Sequence, residues 1–127
     1  MPTATYLSKR FRTGERLSVR TRGLALTEEL HRVVRGCVSA ATGRFQDQVR
    51  RLFVWVEDTN GPKGGAGMRC RMEVTLKHGG RFMATAVATN QYAAVGRAAN
   101  RLRARLVRSF TKRRRRRHET EPLTMDA

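Results

Sequence analysis

The hydrophobic residues of this chain follow two periods, and the places where one gives way to the other mark out six elements. Leu17 and Val19 alternate with Arg16, Ser18 and Arg20 over residues 16–22, the period-two pattern of a short half-buried strand. Thr27 then reads as a helix N-cap, with Glu28 and Glu29 in a first turn where the helix dipole favours anions. Behind it Leu30, Val33, Val34, Cys37, Val38 and Ala41 share one face of a helix ending near Gly43, and His31, Arg32 and Arg35 lie on its outer side. Residues 50–57 return to period two, with Leu52, Val54 and Val56 facing one way and Phe53 and Trp55 the other. The glycine-rich run from Asn60 to Gly67 reads only as a loop. Met68, Cys70, Met72, Val74 and Leu76 then alternate against Arg69, Arg71, Glu73, Thr75 and Lys77. His78-Gly79-Gly80 turns the chain, Phe82, Ala84, Ala86 and Ala88 carry the returning strand, and Asn90 opens a long second helix.

The order β-α-β-β-β-α predicts an α+β fold with a four-stranded mixed sheet. A right-handed crossover through the first helix makes the first two strands parallel, and hairpins make the rest antiparallel. Each helix has a single apolar stripe, so both belong on one face of the sheet, their outer faces forming one continuous basic surface. Residues 15–112 make this domain, between a flexible N-terminal extension (1–14) and an Arg-rich, disordered C-terminal tail (113–127), although the Arg run beyond Lys112 is also able to prolong the helix. The extension lacks acids and contains Lys9, Arg10 and Arg12, a faint likeness to an organelle transit peptide, but it has no amphipathic repeat.

The second helix sorts its charge. From Tyr92 to Arg117 there are eleven basic residues and no acid. Projected at about 100° per residue, Tyr92, Val95, Ala99, Leu102, Leu106 and Phe110 fall in a stripe about 80° wide, and Arg97, Arg101, Arg105, Arg108 and Lys112 fall in another opposite it. A row of cations without counter-ions on its own element calls for a polyanion, and a phosphate backbone is the obvious one. Composition agrees. The 127 residues hold 27 basic and 10 acidic side chains, a formal charge of +17 and a pI near 11.7. Nucleic acid comes first among partners, an anionic membrane surface second and acidic proteins third. Arginine exceeds lysine by 23 to 4, which suits bidentate phosphate contacts but is equally explained by codon bias in a GC-rich genome.

Chemistry of other kinds finds little support. Cys37 and Cys70 make neither a disulfide framework nor a metal site, and both lie on apolar faces as free thiols suited to a reducing compartment. His31, His78 and His118 show no metal-ligand spacing, so no metal and no cofactor are expected. Glu57-Asp58 is an adjacent pair at a strand end, pointing to opposite faces, and reads as solvated charge rather than an acid/base couple. Gly61 to Gly67 is followed by Met68-Arg69 and a strand, which excludes a phosphate-binding loop before a helix. No apolar run approaches the roughly 18 residues of a membrane span. Phe53 and Trp55 suit either a stacking platform for bases or packing against the N-terminal extension or a partner, and the second is the plainer reading.

Over about residues 16–112 the chain resembles the short ribosome hibernation promoting factor / ribosome-associated translation inhibitor family. Leu17-x-Val19 with Leu24 to Leu30 looks like the family's first strand and helix opening, and Val49 to Glu57 like its second strand. Asn90-Gln91-Tyr92-Ala93-Ala94-Val95 looks like its Asp-x-Tyr-Ala-Ala-Ile signature, followed by Arg101-Leu102 and Leu106-x-Arg108 for its Lys-Leu and Leu-x-Lys spacing. The resemblance implies a fold similar to the double-stranded-RNA-binding domain. It also implies binding to the small ribosomal subunit, in the channel of the mRNA and the A- and P-site tRNAs, with translation blocked sterically. Arg101, Arg108 and Lys112 match its basic positions. Asn90, Gly96 and Asn100 replace its acids, and Cys37 stands where relatives often carry a basic residue.

The expected RNA contacts are Arg97, Arg101, Arg105, Arg108, Lys112, Arg113 and Arg114 along the second helix and its continuation, Arg32 and Arg35 on the first, and Arg20 and Arg22 on the first strand. Glutamates in place of Arg101 and Arg108 are expected to abolish binding and leave the fold intact. The expected protein is a cytoplasmic, monomeric, non-enzymatic partner of the small subunit, with no small-molecule substrate and no membrane. The alternatives are a general RNA- or DNA-binding protein using the same surface and a nuclease, which ten scattered acids do not support.

Overall fold

The computed structural model describes residues 6–8, 16–59 and 67–120. Its elements are β1 (Tyr6–Ser8), β2 (Arg16–Arg22), α1 (Glu28–Thr42), a 3-10 helix (Gly43–Gln48), β3 (Val49–Asp58), β4 (Met68–Leu76), β5 (Arg81–Ala88) and α2 (Gln91–Thr120). All six expected elements are present. The sheet runs β1-β2-β3-β4-β5, parallel between β2 and β3 and antiparallel elsewhere. The α+β fold is therefore as the pattern predicts, with additions. Tyr6–Ser8, within the stretch expected as an extension, adds a fifth strand on the edge of β2. The 3-10 helix joins α1 to β3. The backbone of α2 continues past Lys112 to Thr120, through the Arg run expected as a tail. The rest of the extension, residues 60–66 of the loop and residues 121–127 lie outside the described residues.

Local chemistry accounts for the boundaries of α1. Thr27 Oγ1 accepts a hydrogen bond from the Leu30 N–H at 3.1 Å, satisfying one of the orphan donors of the first turn. At the other end Gly43 takes φ +41° and its N–H donates to the Ser39 carbonyl. Between them Leu30, Val34, Val38 and Ala41 are buried. Gly36 is exposed, and a Cβ there would meet nothing within 4 Å. Gly36→Ala should then raise stability by about 0.5–1 kcal/mol, by lowering the backbone entropy lost on folding. An unchanged or lower midpoint in urea unfolding would contradict the helix drawn there.

β3 contains a feature the alternation hides. Val49 pairs with Leu76 but Arg51 pairs with Thr75, a register shift that leaves Arg50 as a bulge. The extra residue lets Val49 and Leu52 both point inward, although three positions separate them. Inward residues of all four long strands (Leu17 and Val19, Leu52 to Val56, Cys70 to Leu76, Ala84 to Ala88) then line one side of the sheet, where α1 packs against β2 and α2 against β4 and β5. β5 offers only alanines at its buried positions, and α2 answers with Ala94, Ala98 and Ala99. Small residues on both surfaces let helix and strand approach closely. Farther along, Leu102 and Leu106 are fully buried, and Phe110 stacks on Phe45 of the 3-10 helix with ring centroids 4.4 Å apart. Among the described residues no helix lies against the other side of the sheet.

Candidate nucleic-acid interface

α2 begins on Asn90, whose Oδ1 accepts a hydrogen bond from the Ala93 N–H at 2.9 Å. A neutral side chain here caps the helix as an aspartate would, so the replacement removes a negative charge from the basic helix without removing the cap. The two stripes expected on α2 are both realised. Val95, Ala99, Leu102 and Leu106 are buried, and Arg97, Arg101, Arg105, Arg108 and Lys112 are exposed. Like charges three and four residues apart repel by a few tenths of a kcal/mol each on an exposed helix, so the stripe is a standing demand for anions.

The upper end of that stripe is engaged. Arg97 donates to the Val87 carbonyl at 2.9 Å and Arg101 to the Thr85 carbonyl at 2.6 Å. β5 is an edge strand of the described sheet, so its outward carbonyls have no ladder partner there, and these two guanidiniums supply one. Each keeps further N–H donors for a phosphate. Arg101 therefore has a structural contact beside its expected RNA contact, which bears on the expectation for glutamates at both Arg101 and Arg108. A carboxylate at position 101 faces a carbonyl oxygen and loses a contact that ties α2 to the sheet. Arg105, Arg108 and Lys112 are the exposed members with no such duty among the described residues.

On α1, Arg32 is exposed and Arg35 half-buried. His31, beside Arg35, has its pKa held below the ordinary value, first by burial and then by that guanidinium, so it adds no charge at neutral pH. The helices pack side by side, but Arg97 and Arg101 reach toward the β5 edge, on the flank of α2 away from α1. The start of the stripe is thus directed over the sheet edge rather than toward the first helix.

Arg20 and Arg22 do not join the helix cations. Leu17, Val19 and Thr21 occupy the helix side of β2, which puts Arg20 and Arg22 on the open side of the sheet. There they sit beside Trp55 and Glu57 in register. Sequence reasoning passed over the other arginines of that face, Arg51, Arg69, Arg71 and Arg81. The outward alternation of each strand was visible, but adding the strands together requires the register. The side chains of Arg113 and Arg114 lie outside the described residues; their backbone is helical.

Little else in the molecule is chemically poised. Cys70 is buried on β4 and its thiol is pushed up to about 12, first by burial and then by Cys37, which keeps it protonated and unreactive. Cys37 is likewise raised by burial, and both are free thiols. Among the described residues no group of three His, Cys, Asp or Glu side chains is placed to hold a metal ion.

No protein-family model and no curated protein sequence matches the chain. Solved structures do. The N-terminal domain of Protein Y from Thermus thermophilus superposes with a TM-score of 0.57 at 23% identity, over 69% of this chain and 92% of that one. A ribosomal subunit interface protein from Coxiella burnetii gives a TM-score of 0.56 at 11% identity, over 73% of this chain and 97% of that one. The chain shares their fold.

Proposed function

We propose that this protein binds the small ribosomal subunit through ribosomal RNA phosphates and blocks the channel of the mRNA and the A- and P-site tRNAs. The observation that carries this is the exposed stripe Arg105, Arg108 and Lys112, continuous with Arg97 and Arg101, on a fold shared with a ribosomal subunit interface protein. Steric exclusion needs no chemical step, so the protein acts as a cytoplasmic, monomeric inhibitor without catalysis, and Arg32 and Arg35 add contacts from α1. Affinity comes mainly from phosphate neutralisation. With about 6 to 8 phosphates contacted, log K falls against log salt with a slope of about −4 to −7.

Co-sedimentation with purified small subunits over a salt series tests both parts. Retention on the subunits in the presence of excess bulk tRNA and duplex DNA is the expected result. Release by either competitor at equal phosphate concentration would instead assign the same surface to general RNA or DNA binding, a reading that the further arginines on the sheet face favour.

A further inference from the structure

We infer that the open face of the sheet is a second nucleic-acid site, built to stack unpaired bases of a single-stranded RNA segment on Phe53 and Trp55. The two rings stack on one another on β3, with centroids 5.5 Å apart and planes 23° from parallel, so each offers its outer face. A guanidinium is held over each, Arg51 at 5.7 Å from the Phe53 centroid and Arg71 at 5.1 Å from that of Trp55. At such distances the arginine is a loose cover, so a base can take its place on the ring while the guanidinium turns to the neighbouring phosphate.

Charge selects the occupant. With register and burial combined, this face carries Arg20, Arg22, Arg51, Arg69, Arg71 and Arg81 against Glu57 and Glu73. Both acids are taken up locally, Glu57 by Arg69 at 2.9 Å and Glu73 by Arg81 at 3.2 Å. A second copy of this chain would bring the same excess of arginine and be repelled, whereas a phosphodiester strand with bases to stack matches both the cations and the rings. Two hollows adjoin the rings. One of about 430 Å³ is lined by Trp55, Glu57, Arg69, Arg71, Met83 and Thr85. The other, of about 300 Å³, lies along Phe53 between Arg51 and Arg81. Each has room for a base beside its ring.

The β5 edge joins this face to the helix stripe. Arg101 grips the carbonyl of Thr85, and Thr85 pairs with Arg71, which covers Trp55. A strand leaving the α2 cations thus crosses the exposed Met83, Thr85 and Val87 of β5 before it meets Arg71 and the rings. The choice of RNA over DNA rests on the reading of the helix face; the stacking does not.

Trp55 is the sole tryptophan, so its fluorescence reports this face alone. The full chain is titrated at low salt with an eight-nucleotide oligouridylate, its DNA counterpart, and a short RNA duplex. Saturable quenching of Trp55 by the RNA oligomer is expected, with the duplex at least tenfold weaker. Phe53→Ala should weaken the oligomer by about 5- to 150-fold, the range for loss of one stacked base. Arg71→Ala, at an exposed position on the open face, should weaken it severalfold. The Arg105→Glu/Arg108→Glu variant should keep Trp55 quenching within about threefold, which separates this site from the helix site. The inference is overturned if the oligomer leaves Trp55 fluorescence unchanged, or if the duplex quenches Trp55 equally well. Exclusion of acrylamide from Trp55 in the free protein would also overturn it, by showing a face already covered. Tighter binding of the DNA oligomer would overturn the assignment to RNA.

Discussion

Glutamate at both positions 105 and 108 should abolish binding to small ribosomal subunits and leave the protein at least as stable as before. The two effects have opposite signs for one reason. Nonspecific phosphate binding of roughly 5 to 8 kcal/mol, spread over about 6 to 8 contacts, assigns about 1 kcal/mol to each. Reversing a charge removes one contact and adds one repulsion, so two reversals cost about 4 kcal/mol, close to a thousandfold in affinity. The salt slope should flatten by about 2. Within α2, by contrast, a carboxylate at position 105 would face Arg101 and one at position 108 would face Lys112 across one turn, replacing repulsive pairs with attractive ones. Both arginines are exposed, so neither replacement disturbs the core. Co-sedimentation and thermal unfolding measured together decide the matter. Undiminished pelleting with subunits would remove the stripe from the interface, and a lowered melting temperature would show that these arginines hold the fold. Arg101→Glu serves as the contrast, because its loss of the Thr85 carbonyl should lower stability as well as binding.

Leu102→Ala should be among the most damaging single changes to the fold, costing about 2–5 kcal/mol by lost transfer energy and a residual cavity. Leu102 is fully buried, on the face of α2 that packs against the sheet and α1. Its neighbours Ala98 and Ala99 are too small to fill the space. Set against a total stability of about 5–15 kcal/mol for a domain of this kind, the loss lowers the urea midpoint severely. A drop of less than about 1 kcal/mol would mean that α2 is not packed on the sheet as drawn. Measured at low temperature, where the variant remains folded, RNA binding should persist, because the cations of the stripe do not depend on the leucine's volume.

Individual residues show how far the chain could be read without coordinates. The α2 stripes followed from a rotation of about 100° per residue and needed no partner to define them. Thr27 and Asn90 announced the helix starts, and both side chains cap as their type requires. The bulge at Arg50 was not legible, because Val49-Arg50-Arg51-Leu52 departs from alternation in a way that only the pairing with Leu76 and Thr75 explains. The charge of Arg20 and Arg22 is visible in the sequence, but their side of the sheet relative to α1 is fixed only by the burial of Leu17, Val19 and Thr21 against the helices. The sequence shows Arg101 only as a cation of the stripe, for a related reason. Its second role depends on β5 being an edge strand, sixteen residues away in the chain, with the Thr85 carbonyl pointing outward.

The division between the two sources is one of range. Periodicity, caps and turn residues act over one or two turns, so the sequence alone settled the six elements, their order, the apolar side of each helix and the net positive character of the molecule. Strand register and the choice of edge come from contacts between residues far apart in the chain, and only the tertiary structure could decide them. It gathered Arg20, Phe53, Trp55 and Arg71, drawn from three strands, onto one face, and it anchored Arg97 and Arg101 at the sheet edge. Residues distant in sequence become one surface only when hydrogen-bonded ladders bring them into line.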